Sequence, residues 1–171
     1  MAVNNLSQFY HLLSLRPGRT RQASSFGRDP DRGGTWGGFR PAVARRKRIQ
    51  LDPGETHTMA DLPGAGLITR LWMTTFLPAN RHALRSLVLR FYWDGETDPS
   101  VECPFGDFFG VPFGRYVSYT AEPMSLTSGA GNCFLPMPYA SGGRLEVTNE
   151  GRKVVEPFFY QVTYYELEQA P

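Results

Sequence analysis

The chain has 171 residues, 41% of them hydrophobic and 13% aromatic, which is the length of one domain with enough apolar mass for a core and excludes wholesale disorder. Eighteen glycines and fourteen prolines favour a loop-rich all-β domain over a helical bundle, and no apolar run reaches the ~20 residues of a membrane helix. The formal net charge of +2 conceals a division, with +8 between Arg16 and Arg48 and −6 over the rest, a pattern that suits self-association better than nucleic-acid binding, which calls for a clear overall excess of positive charge.

In chain order, Leu6, Phe9, Tyr10 and Leu13 fall at helical spacing behind Asn4 and Asn5, predicting a short helix over residues 5–15 that Arg16-Pro17-Gly18 ends. The same opening residues carry no cationic segment followed by an apolar one, so no signal peptide is expected and the setting reads as cytoplasmic. From Arg19 to Phe39 the chain is rich in Gly, Arg and Ser without periodicity, and it reads as an irregular arm. Arg45-Arg46-Lys47-Arg48 reads as a solvated basic run leading into a strand.

Beyond Ile49 the pattern is strands separated by turns. Arg48–Leu51 and Thr56–Ala60 flank Asp52-Pro53-Gly54, where Pro fixes φ and Gly accepts a positive one. Further strands are expected over Gly66–Phe76, Leu84–Trp93, Ser100–Cys103, Tyr116–Thr120, Cys133–Pro136, Arg144–Asn149 and Pro157–Leu167. About eight strands with no helix between them predict an all-β fold, a single jelly-roll β-sandwich carrying a short N-terminal helix and a basic arm. The division expected is residues 1–48 for helix and arm and 49–171 for the jelly roll. Its expected core includes Trp72, Leu87, Leu89, Phe91, Phe108, Val147 and several of residues 158–164.

The chemistry-bearing residues are sparse. Cys103 and Cys133 form no CxxC, and His11, His57 and His82 lack ligand spacing, so neither a metal nor another cofactor is expected, and two reduced buried thiols are favoured over an inter-strand disulfide. Phosphate-loop, nucleophile-elbow and HExxH signatures are missing. Asp94, Glu96 and Asp98 alternate like calcium ligands, yet Asp94-Gly95 reads as an ordinary hairpin turn. Glu102 and Asp107 are the closest approach to the paired carboxylates of glycosidic chemistry. Asp107 precedes the apolar Phe108-Phe109, and a turn-capping role for it is the stronger reading.

Several segments resemble a known family. They are Arg19–Phe26, Asp52-Pro53-Gly54-Glu55-Thr56, Gly66–Thr74, Leu89–Glu96, Pro99–Glu102, Gly106-Asp107-Phe108-Phe109-Gly110, Asn132–Tyr139, Leu145–Gly151 and Phe159–Tyr164. In order over nearly the whole chain, they are similar to the first half of domain-of-unknown-function family 2961, now glycoside hydrolase family 172. The resemblance implies tandem jelly rolls and retaining chemistry on α-linked fructofuranosides and arabinofuranosides. The family's two catalytic glutamates lie in its second half, in Gly-Glu-Gly-Asp-Glu and Thr-Glu-Asp-Tyr stretches. Neither stretch occurs in this sequence, so no residue here inherits a catalytic role.

The function expected is therefore a jelly-roll subunit of a furanoside-processing assembly, with the catalytic jelly roll on a second chain. The alternative is a non-enzymatic jelly roll that self-assembles into a ring, tube or shell. A homo-oligomer, trimer-based or larger, is expected on either reading. A contribution to a furanoside pocket would come from Ser25, Phe26, Arg28, Asp31, Asp107 and Tyr139, which combine an aromatic stacking surface with oriented polar groups. Such a pocket requires them to gather at one concave site.

Overall fold

A computed structural model describes residues 18–25, 49–77 and 80–168. The predicted helix over residues 5–15 and most of the basic arm lie outside the described residues.

Among the described residues, twelve strands form two antiparallel sheets. In chain order they are β1 (Arg19–Ser24), β2 (Ile49–Leu51), β3 (Thr56–Pro63), β4 (Gly66–Thr74), β5 (Leu87–Trp93), β6 (Val101–Pro104), β7 (Tyr119–Thr120), β8 (Met124–Thr127), β9 (Ala130–Cys133), β10 (Met137–Tyr139), β11 (Gly142–Asn149) and β12 (Val155–Glu166). The larger sheet runs β1-β12-β4-β9-β8-β7, with β10 also on β4 and β2 also on β12. The smaller runs β3-β11-β5-β6. Two single helical turns, α1 (Ala83–Ser86) and α2 (Phe105–Phe108), cover one end.

Period-two alternation builds both sheets. In β4, Ile68, Leu71 and Met73 are buried while Leu67, Trp72 and Thr74 are only half-buried. In β12, Phe158, Tyr160 and Val162 are buried between half-buried Phe159, Gln161 and Thr163. The opposite slab supplies Leu87, Leu89 and Phe91 from β5 and Leu145 and Val147 from β11, all fully buried. Because strand side chains alternate between faces, these two sets meet in one core between the sheets. An aromatic cluster closes the α1–α2 end of that core: Phe109 packs at 5.0 Å from both Phe105 and Phe108, and Phe108 at 5.4 Å from Phe91. Gly131 makes room for it, since a Cβ there would stand 2.6 Å from the Phe109 ring.

Several expectations are corrected. Arg19–Ser24 is not irregular: it pairs with Glu166–Gln161 as an edge strand. Its polar side chains hide the period because an edge strand has so little to bury. Leu84 to Ser86 belong to a helical turn, so β5 starts at Leu87. The short strands β8 and β10 were not anticipated, since Met124–Thr127 and Met137–Tyr139 are too brief for a pattern to register. Trp72 stands on the outer face, between Gln161 and Asn132. Both cysteines are free, with Cys133 buried and Cys103 partly so. No helix among the described residues is long and apolar enough to cross a membrane.

Candidate functional site

The α1–α2 end of the sandwich holds the segment Gly106-Asp107-Phe108-Phe109-Gly110. Asp107 lies on α2, and both its oxygens accept from Arg85 Nη1 on α1, at 2.6 and 2.5 Å. Glu102 is not its partner: on β6 it meets Arg90 Nε at 3.3 Å, and Arg90 also binds Glu150. The two carboxylates are thus drawn to different arginines, Asp107 to Arg85 and Glu102 to the Arg90 it shares with Glu150, which does not suit a general acid/base pair.

A loop from Gly110 to Ser118 leaves α2, and three hydrogen bonds pin it. Tyr119 Oη donates to the Phe109 carbonyl at 2.8 Å. The Gly129 N–H donates to Tyr116 Oη at 2.9 Å, and Thr74 Oγ1 donates to the Gly129 carbonyl at 2.7 Å. These bonds bring the end of β4, the β8–β9 hairpin tip and the loop together. The same end presents Phe76, 67% exposed, and Phe113, 86% exposed. Both hold left-handed backbone, with φ of 56° and 65°. That conformation costs a bulky residue on the order of 1–3 kcal/mol, so these rings stand in water at a double disadvantage. Phe113 lines a hollow of about 370 Å³ together with Gly110, Val111, Pro112, Arg115, Val117 and Tyr119. Nothing in the alternation pattern flags Phe76 or Phe113; the Pro112-Phe113-Gly114 run was the available signal.

Three of the six predicted sugar-binding residues are described. Ser25 is buried beside β12, where its N–H donates to the Tyr160 carbonyl at 3.1 Å and its Oγ accepts from the Tyr160 N–H at 3.3 Å. Tyr139 is buried on β10 against Gly66, its ring parallel to Trp93 at 6.5 Å. Burial, then the neighbouring Tyr164 and Glu166, push its phenol up to about 12. Ser25 lies level with Met73 and Tyr139 with Gly66. At ~3.3 Å per residue they are about 23 Å apart along β4. Asp107 lies near the start of β5, whereas Trp93 and Tyr139 mark its far end. The structure therefore does not gather Ser25, Asp107 and Tyr139 at one concave site. Phe26, Arg28 and Asp31 lie outside the described residues.

The Asp94-Gly95 turn is as expected: φ is 53° and 84° at its two central residues, and Glu96 N–H closes it onto the Trp93 carbonyl at 2.9 Å. Asp94 Oδ1 also accepts from the Ala140, Ser141 and Gly142 N–H groups at 2.8, 2.7 and 3.2 Å, which holds its carboxyl below the usual range. Among the described residues, no group of three or more His, Cys, Asp or Glu is placed to hold a metal ion.

Compared with known families, the chain from residue 17 to 171 matches the model of the first β-sandwich domain of GH172. It belongs to the GH172 family. The match begins two residues before β1, consistent with that strand's place in the larger sheet. The segments that carried the resemblance include strands of both sheets and the α2 turn of this GH172 sandwich. No curated protein matches the chain.

Proposed function

We propose that the chain is the non-catalytic first sandwich of a GH172-type assembly that processes α-furanosides. It provides the scaffold and the contacts between copies, and the catalytic glutamates come from another sandwich. The match to the family's first β-sandwich domain, rather than to the half that carries the glutamates, supports the setting and a scaffolding role for these residues.

The observation that carries the assembly half of this reading is the exposed, strained ring of Phe113 at a largely apolar hollow, with a second exposed, strained ring at Phe76. A projecting ring next to an apolar depression on one patch is what a self-complementary contact between copies needs, one copy's ring entering the other's hollow. The charge division adds a second attraction, between the +8 segment of one copy and the −6 remainder of its neighbour. Two free thiols placed in different sheets suit a reducing, cytoplasmic compartment.

Light scattering across a salt series, with hydrolysis assays on α-fructofuranosides and α-arabinofuranosides, tests this. The expected result is an oligomer without hydrolysis, and hydrolysis once a chain bearing the two glutamate stretches is added and co-elutes. A salt-insensitive monomer, or turnover by this chain alone, overturns it. Oligomers that ignore the added chain favour the alternative, a structural self-assembling jelly roll, on the strength of the same apolar end.

A further inference from the structure

The two outer faces of the sandwich differ in charge. Over the smaller sheet, Asp61 on β3 faces Arg144 on β11, which faces Tyr92 on β5, and Arg90 lies between Glu102 and Glu150. That face suits water. Over the larger sheet, β4, β7, β8, β9, β10 and residues 159–165 of β12 contain one charged residue, Arg70. Its guanidinium is held on the face: Nη2 donates to Asn132 Oδ1 at 2.9 Å, and Cζ lies 5.7 Å from the Phe134 ring centroid. Around it stand Leu67, Trp72, Phe159 and Tyr165, all half-buried, and Phe134, 50% exposed. Aromatic side chains with a single arginine and no other charge are the composition of an interface core, not of a solvated sheet.

We infer that this face is covered by the chain's own residues 1–17, packed across it as a helix. The inference goes beyond the assembly reading and stands without it.

Composition, tether and size together select this occupant. Residues 1–15 contain no Asp, Glu, Lys or Arg, and nine of them are hydrophobic. Leu6, Phe9, Tyr10 and Leu13 fall on one side of the helix that their spacing predicts. A neutral apolar stripe matches the neutral face and is mismatched to the charged one. The tether is short. Arg19 pairs with Glu166, beside Tyr165 and, one strand further, Leu67. The junction is close, since a Cβ at Gly18 would stand 2.4 Å from the Glu166 carbonyl oxygen. Residues 16–18 span at most ~10 Å, so a helix over residues 5–15 must end within about two strand spacings of that corner. Its Leu13 then lies over Tyr165 and Leu67, and its Leu6 points toward Trp72. The charge-free area, from Tyr165 to Phe159 and from β12 to β8, measures roughly 20 by 14 Å. That accommodates one helix ~16 Å long and ~10 Å wide. It falls well short of the ~800 Å² per side of a stable contact between separate chains, whereas a tethered segment needs far less.

The test is cysteine cross-linking of the full chain with a short bismaleimide, with single-cysteine variants correcting for reaction at the partly buried Cys103. Ser14→Cys with Thr163→Cys, which lies beside Arg70, should cross-link within one chain. Ser14→Cys with Thr58→Cys, exposed on β3 of the charged sheet, should not. Adding Leu6→Ser, Phe9→Ser and Leu13→Ser should slow the first cross-link at least about tenfold, because each removes a burial worth about tenfold in the docking equilibrium. The circular dichroism spectrum should keep its strand signal. No cross-link at Thr163→Cys, an equal rate at Thr58→Cys, an unchanged rate in the triple variant, or cross-links that join two chains would each overturn the inference. If Thr163→Cys does not fold, Gln161→Cys on the same face of β12 replaces it and is read the same way. The parent's oligomer mass is measured separately, so this inference and the assembly reading fail independently.

Discussion

Asn149 is fully buried and ties the two sheets together, so replacing it tests how the sandwich is held. Its Nδ2 donates to the Leu51 carbonyl at 2.8 Å and the Lys153 carbonyl at 2.9 Å, and its Oδ1 accepts from the Gly151 N–H at 3.0 Å. Leu51 lies on β2, paired to the larger sheet, whereas Asn149 ends β11 of the smaller. Asn149→Ala removes all three bonds and strands the buried Leu51 carbonyl. With a net ~0.5–1.5 kcal/mol per neutral bond and ~1–3 kcal/mol for an unsatisfied buried group, the expected loss is about 3 kcal/mol. Asn149→Asp keeps the shape and the Gly151 bond but sets a carboxylate against two carbonyl oxygens, and it should cost more than alanine at neutral pH. Burial and those oxygens raise the introduced carboxyl's folded pKa above its unfolded value of ~3.9. Its protonated form can donate to one carbonyl, so the aspartate variant's deficit should shrink as pH falls through the folded pKa and be least below the unfolded one. Urea unfolding at two pH values, read from the midpoint at constant m, measures both. An aspartate variant as stable as the alanine one at neutral pH, or either within ~0.5 kcal/mol of the parent, refutes the reasoning.

Three further outcomes are expected. Gly66→Ala places a Cβ 2.1 Å from Tyr139 Oη and 2.7 Å from the Tyr165 carbonyl, an overpacking that should cost about 1–3 kcal/mol in thermal unfolding and be partly relieved by adding Tyr139→Ala. Tyr139, raised to about 12, should remain un-ionised by absorbance at a pH where a free phenol, with pKa ~10, has ionised. Its contribution to stability is full below the unfolded pKa and is lost as pH rises through the folded one, so denaturation midpoints should fall above pH ~10. Phe113→Ser and Phe76→Ser, which remove exposed rings, should leave thermal stability within ~0.5 kcal/mol of the parent while reducing the oligomer's mass; an unchanged mass places the copy-to-copy contact elsewhere.

Much of the fold was legible from local chemistry. Alternation in Leu87–Trp93 and Phe158–Tyr164 reports burial on one face, and the Asp94-Gly95 turn carries its own φ requirement, so both survive in the structure. The family, too, could be read from ordered segments spread along the chain. Edge strand β1 could not, because its partners on β12 lie more than 130 positions away and its polar residues carry no period. Nor could the placing of the candidate residues. Ser25 and Tyr139 fall at opposite ends of β4 through register alone, and Asp107 takes Arg85 because two helical turns pack together. The exposure of Phe76 and Phe113 and the row Asp61–Arg144–Tyr92 depend likewise on which strands pair and where the chain turns. By itself, the sequence determined what is paid out locally along the chain: strand periodicity, turn residues, and a composition suited to a sandwich. Only the tertiary structure decided which side chains share a site, because long-range pairing sets neighbours that no local pattern records.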